Sequence, residues 1–345
     1  MKMNIRLTLI LLPLLLSVVG HGESLAAGID RGIMKVDFLY SIESTGGRAD
    51  TLKAPTDIFY DRKKGELYVV DPGNGGIFIY NESGAFIQKI SINRDGEEGS
   101  PKMIAVDDEG RLYVGHLSSP KISVLSYRGE PLEVLDLPGT VDAPGFDVVP
   151  LRLASGPDGR VYALKSAGGV VKIDPLGENH EEISISGSGA PNVIYAISVD
   201  NDGSFLFADM RPYSVVRYDP KGKTFNRFGS PGVIYGQLAR PVGVATDEAG
   251  HIFVTSLVRS KVLCYSKGGD FIEEFGGPGN RYGQFVMPTK IASDGKDRLF
   301  VLEEPLKRVQ VFRVKFLNEN EGNNSSVSVH DNEHLIAGIS GNERR

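Results

Sequence analysis

Pro101–His116 reads PKMIAVDDEGRLYVGH, and this stretch decides the fold because the chain repeats its grammar six times. The parallel stretches are PTDIFYDRKKGELYVVD from Pro55, PLRLASGPDGRVYALK from Pro150, IYAISVDNDGSFLFAD from Ile194, PVGVATDEAGHIFVTS from Pro241 and PTKIASDGKDRLFVLE from Pro288. Six positions after each start stand Asp61, Asp107, Gly156, Asp200, Asp247 and Asp294. The five intervals from Pro55 to Pro288 average about 47 residues, a period that belongs to propellers and arrays. Within each unit a short alternating run meets a turn such as Asp108-Glu109-Gly110, where Asp supplies local hydrogen bonds and Gly positive φ. A second run rich in β-formers follows, as in Leu112-Tyr113-Val114.

Working outward, a third strand is expected at Ile77–Tyr80, Ile122–Leu125, Val170–Ile173, Val215–Tyr218, Val262–Tyr265 and Val309–Phe312. A fourth follows at Ala85–Ile90, Pro131–Leu135, Phe225–Phe228 and Phe271–Phe275. Four antiparallel strands per unit make a propeller blade, so the chain is expected to be an all-β, six-bladed β-propeller. The sixth unit lacks a fourth strand, because the chain turns polar after Phe316. Val36–Ile42, VDFLYSI, reads like the missing strand and is expected to complete the last blade, closing the ring and leaving no open sheet edge.

The connections between units carry a more specific pattern. Gly229–Pro241 (GSPGVIYGQLARP) and Gly276–Pro288 (GGPGNRYGQFVMP) share the frame G-x-x-G-x-x-x-G-Q-[L/F]-x-x-P, and Val70-Asp71-Pro72-Gly73-Asn74 resembles a V-x-D-x-x-N turn. On these residues the chain resembles the NHL-repeat propellers over about Val36 to Val314; the third and fourth units depart from the frame. The resemblance implies a binding face at the mouth of the central channel. It also implies a rival reading, since some propellers of this kind are zinc lyases and related ones are metal-dependent lactonases.

Residues 1–26 fall outside the repeat. Lys2 and Arg6 precede the apolar run Leu7–Val19, and Ser24-Leu25-Ala26 offers a small-residue cleavage site, so a signal peptide and export to the periplasm or outside the cell are expected. Without that leader the net charge of −6 becomes about −7, and no basic run exists, which argues against nucleic-acid binding. No second long apolar run marks a membrane span, and a monomer is expected. Cys264 is the only cysteine, so no internal disulfide can form; it reads as a small buried apolar residue. Residues 317–345 are polar, with too little apolar surface to fold alone, and read as a disordered tail.

Alternation along the first strands places Asp57, Met103, Arg152, Ala196, Gly243 and Lys290 at the channel mouth, and Phe59, Ala105, Ala154, Ser198, Ala245 and Ala292 deeper in. The second strands end on the same face, at Asp71, His116, Lys165, Asp209, Ser256 and Glu303. Asp71 and Asp209 are expected to cap turns. His116, Lys165 and Glu303 break the repeat and join Asp57, Arg152 and Lys290 as candidate ligand-binding residues. Zinc needs three converging protein ligands. His116, His180, His251, His330 and His334 are spread over both faces and the tail, and no Ser-His-Asp or Cys-His set falls on one face. No catalytic residue, metal or cofactor is therefore expected. The leading reading is a propeller that presents its mouth face to a protein, peptide or small ligand; the alternative is a metal-dependent lyase or lactonase-type hydrolase at the channel mouth.

Overall fold

The computed structural model describes residues 34–317, apart from 48–49, 93–98, 118, 138–147, 167 and 175–179. The expected leader at 1–26 and the polar tail from 318 onward lie outside the described residues, and no helix among those described is long and apolar enough to cross a membrane.

Six four-stranded antiparallel sheets follow one another along the chain. Blade 1 consists of Asp57–Asp61, Glu66–Asp71, Gly76–Tyr80 and Phe86–Ser91. Blade 2 runs Pro101–Val106, Leu112–His116, Lys121–Leu125 and Pro131–Asp136, and blade 3 Pro150–Ser155, Val161–Lys165, Val170–Lys172 and Glu181–Ile183. Blade 4 has Ile194–Val199, Phe205–Met210, Tyr213–Asp219 and Thr224–Phe228, and blade 5 Pro241–Thr246, Ile252–Ser256, Lys261–Tyr265 and Phe271–Gly276. Blade 6 takes Lys290–Ser293, Arg298–Glu303 and Arg308–Phe316 from the end of the chain and Met34–Ile42 from its beginning. The last two pair antiparallel from Met34↔Phe316 to Ile42↔Val309, with a register shift between Phe38 and Tyr40. Glu181–Ile183 is the one fourth strand that sequence patterning passes over. It lies on the outer edge of its blade, with both glutamates exposed, so no apolar alternation marks it.

The apolar residues gather between blades rather than on the axis. Tyr68, Ile77, Ile104 and Val114 fill the gap between blades 1 and 2, and analogous clusters fill the next four gaps. The sixth gap, between blades 6 and 1, is filled by Ile58, Leu67, Phe300, Leu302, Val309 and Val311, so the ring is continuous. A strand buried on both faces needs apolar residues at odd and even positions alike, which explains runs such as Leu67-Tyr68-Val69-Val70, all four fully buried. Cys264 is buried between blades 5 and 6, where desolvation pushes its thiol well above the usual range.

The repeated aspartate organises the turn between first and second strands. Asp107 Oδ1 accepts from the Glu109 and Arg111 amides at 3.0 and 2.9 Å, and Asp294 Oδ1 does the same for Lys296 and Arg298 at 2.9 Å each. In blade 3, where Gly156 holds the repeat position, Asp158 takes over, accepting from the Arg160 amide at 3.2 Å and the Tyr162 hydroxyl at 2.9 Å.

The two copies of the glycine frame fold alike. Gly232 N–H donates to Leu238 O at 2.8 Å and Gly279 N–H to Phe285 O at 3.1 Å, while Leu238 and Phe285 are fully buried. Gly232 and Gly279 sit at φ +152° and +155°, and a Cβ at either would strike the side chain of Gln237 or Gln284. Glycine is therefore required at both positions.

Candidate functional site

All six first strands face the axis and enclose a cavity of about 480 Å³. Its walls are largely small, including Ala154, Ala196, Ser198, Gly243, Ala245 and Ala292. Neighbouring residues of both parities line it, as at Arg152–Ser155 and Gly243–Thr246. The first strand is the inner edge of its blade and both its faces are covered, so alternation does not sort channel from core as the sequence reading assumes. Blade 2 departs furthest. Met103 and Ala105 point into the core between blades 2 and 3, Met103 against Gly115, and Ile104 and Val106 line the cavity instead. Phe59 lines it while also packing against the cores on both sides of blade 2.

Arg62, in the turn after the first strand of blade 1, forms the floor. Its Nη2 donates to Thr246 O in blade 5 at 2.6 Å, its Nη1 to Asn201 Oδ1 in the turn after the first strand of blade 4 at 3.4 Å, and its Nε to Ser293 O in blade 6 at 3.5 Å. One guanidinium thus ties four blades across the axis. Burial pulls its pKa down, against the raising effect of Glu248, Asp294, Asp247 and Asp200.

At the mouth the structure brings together three of the six expected residues: Asp57, Arg152 and Lys290. Lys290 Nζ lies 3.1 Å from Asp57 Oδ1, with only 12% and 10% of the two side chains exposed. Asp57 Oδ2 also accepts from the Ile104 amide at 3.1 Å. Burial pulls the Lys290 ammonium down to about 8; Asp57 opposes this and the like charge of Arg152 adds to it. Lys102, lowered by burial and then by Arg152, belongs to the same group of charges, as does Glu304, which acts on both lysines. The Arg152 guanidinium sits over the Tyr195 ring at 4.5 Å and donates through Nη1 to Leu151 O, while its buried Nε has no hydrogen-bond partner among the described residues.

His116, Lys165 and Glu303 are placed elsewhere, away from the cavity that the other three line. His116, 3% exposed, has Nδ1 3.0 Å from Gly99 O and Nε2 2.8 Å from Ser123 Oγ. Lys165 Nζ pairs with Glu182 at 2.8 Å. Glu303 is fully buried, accepting from the Val286 amide at 2.7 Å, from Arg308 Nε at 2.7 Å and from Gln310 Nε2 at 2.7 Å. None of the three lines the cavity. The physical reason lies in the equivalent positions of other blades. Asp71 accepts from the Lys53 and Ala54 amides, Asp209 from the Asn192 and Val193 amides, and Ser256 holds both N and O of Ala239. The end of the second strand anchors the chain that leads into the same blade, a job that Asp, Ser, Glu or His can each do. In blade 3 the next residue, Ser166, does it, accepting from the Val149 amide at 3.1 Å.

The mouth face has a second property that sequence reading misses. Among the described residues, eight of the fourteen exposed large apolar residues lie on it: Leu117, Val193, Tyr195, Tyr213, Val233, Ile234, Val258 and Met287. Of the other six, Phe86, Ile87, Leu132 and Val134 lie on outer strands of blades 1 and 2, and Tyr235 and Tyr282 pack against Phe271 and Phe38 on the outer strands of blades 5 and 6. Val233, Ile234 and Val258 are the most open, at 70, 66 and 63%. The frame positions between its second and third glycines carry two of them in one copy, Val233 and Ile234; only the three-dimensional ring shows that they share a face with Val258.

Among the described residues no group of three or more His, Cys, Asp or Glu is arranged to hold a metal ion. The donor set at the mouth does not fit one either: Asp57 is held by Lys290 and the Ile104 amide, and the charges around it are cationic.

No family model matches the sequence, and no curated protein matches it. Solved structures do. Virginiamycin B lyase from Staphylococcus aureus superposes with a TM-score of 0.57 at 14% identity, over 81% of this chain and 99% of that one. A structure of unknown function from Bacteroides thetaiotaomicron gives 0.61 at 13% identity, over 82% and 76%. A gluconolactonase from Xanthomonas campestris gives 0.56 at 13% identity, over 82% and 90%. Likeness at this level of identity establishes the six-bladed propeller and nothing about activity.

Proposed function

We propose that the chain is an exported, NHL-type binding propeller that works as a monomer and holds a protein, peptide or small ligand on its mouth face. The single observation that carries the reading is the gathering of exposed apolar residues on that face, around a pit lined by Asp57, Arg152 and Lys290. Exposed apolar groups scattered singly need no explanation, but eight on one face, rimmed by charge, mark an interaction site. Among the described residues, the opposite face, built from Asp-anchored turns, carries no large apolar group as open as Val233, Ile234 or Val258. The glycine frame supports the NHL assignment by folding into the same loop twice. The alternative, a divalent-metal lyase or lactonase, draws on the names of two structural neighbours, and the cation-rich donor set at Asp57 weighs against it.

Site-specific photo-crosslinking in the compartment of origin tests the proposal. A photoreactive residue at Ile234 or Val258 is expected to give the same discrete adduct, and one at Glu109 or Lys267 on the opposite face none. Adducts from the opposite face alone refute it.

A further inference from the structure

The pit has the features of a site for one small charged group. Three cations meet at its mouth, Lys102, Arg152 and Lys290, against two carboxylates, Asp57 and Glu304, which leaves one positive charge in excess. Asp57 is already occupied by Lys290 and the Ile104 amide. Arg152 keeps a buried Nε with no hydrogen-bond partner among the described residues, and stacking on Tyr195 holds its planar fork in place. A buried donor left unmade costs about 1–3 kcal/mol, so a ligand acceptor there recovers an existing penalty. Guanidinium forks suit planar, bidentate acceptors. A single excess charge matches a monoanion; a phosphate dianion would leave one negative charge uncompensated.

We propose that the pit is a carboxylate subsite, in which the Arg152 guanidinium and the Lys290 ammonium receive one carboxylate group. The inference rests on the reading of the mouth as the binding face and names the chemistry it selects. The carboxylate can come from a small organic acid or from the end or an acidic side chain of a polypeptide. The lowered Lys290 pKa supports the assignment: an arriving carboxylate favours the charged lysine, so binding at pH 8 takes up protons, and affinity falls as pH rises beyond about 8.

The test uses the whole chain and three probes: propionate, inorganic phosphate, and a pentapeptide with a free C-terminus set against its C-terminal amide. Binding is read by ligand-observed NMR at pH 7 and pH 9, with heat of binding at pH 8 in two buffers to count protons. Propionate is expected to bind more tightly at pH 7 than at pH 9, with proton uptake at pH 8. Binding is expected to weaken at least tenfold in Arg152→Ala and less in Lys290→Arg, while both variants melt as the parent does. Arg152→Lys, which keeps the charge and loses the fork, replaces Arg152→Ala if the latter does not fold. Binding of propionate assigns the source to small acids, and binding of the acid-ended peptide but not its amide assigns it to polypeptides. Silence from every carboxylate, phosphate binding as tight as carboxylate, or binding indifferent to Arg152 overturns the subsite. No partner is needed, so this result and the crosslinking result can fail independently.

Discussion

Replacing Glu303 with alanine separates a recognition role from a structural one. The carboxylate is fully buried and its partner Arg308 has a side chain only 6% exposed. Arg308 also donates to Asn280 O at 3.0 Å and Gln284 O at 3.2 Å, holding the glycine-frame loop before blade 6. Removing one member of a buried pair strands the other charge, at about 3–5 kcal/mol. Orphaning the Val286 amide draws on the same loss, so the two are not summed, and about 4 kcal/mol is the working figure. At about 2.1 cal/mol/K per residue, the roughly 260 described residues unfold with an entropy of roughly 0.55 kcal/mol/K, which converts this loss into a fall in Tm of about 7 °C. Glu303→Gln keeps an acceptor for Val286 and loses the ion pair, so its fall is expected to be smaller. Thermal denaturation followed by circular dichroism and by calorimetry measures both. If Glu303→Ala melts within about a degree of the parent, the buried network contributes little and the anchoring argument is wrong.

Further outcomes follow from the same structure. Lys290 has a folded-state pKa of about 8 against an ordinary 10.5, so between these values the unfolded chain holds a proton that the folded one has released. Stability is therefore expected to rise with pH across that window, and the slope, read as the difference between parent and Lys290→Met in urea titrations, vanishes in the variant; equal slopes contradict the burial of the ammonium. Deleting residues 34–42 strips the outer strand from blade 6 and bares Arg308–Phe316 as an edge, so size-exclusion chromatography should find aggregates; a monomer with the parent's Tm counts against the pairing. Gly279→Ala forces a left-handed φ on a residue whose Cβ meets Gln284, with an expected loss of about 1–3 kcal/mol by urea denaturation; an unchanged midpoint shows that the loop can shift.

Much of the fold was legible because the repeat is written in residues whose physics is local. Asp107 and Asp294 announce their turns, and runs such as Leu67–Val70 announce strands covered on both sides. The strand Val36–Ile42 was legible by its likeness to other fourth strands. That Asp57, Arg152 and Lys290 are neighbours at the cavity mouth was legible too, because they interrupt a series of small residues. His116, Lys165 and Glu303 also interrupt a series, but that series is an anchoring position where any suitable hydrogen-bonding group serves. Arg62 was missed because its partners lie 139 to 231 residues away in sequence. The apolar rim was missed because single exposed residues in separate connections form a patch only once the ring brings them to one face.

The pairing of Met34–Ile42 with Arg308–Phe316 inverts the order of synthesis and assembly. The ribosome makes one strand of blade 6 before any other described strand and its partner after all the others, so blades 1 to 5 can stack while the sixth waits. Contacts between such distant segments are slow to form, and until they do the molecule is an open arc with an uncovered blade at either end, the kind of intermediate that aggregates. A chain that ends before Arg308 lacks the partner strand altogether. Closure of the ring is therefore the last step that synthesis permits, and it waits on the pairing of the first described strand with the last.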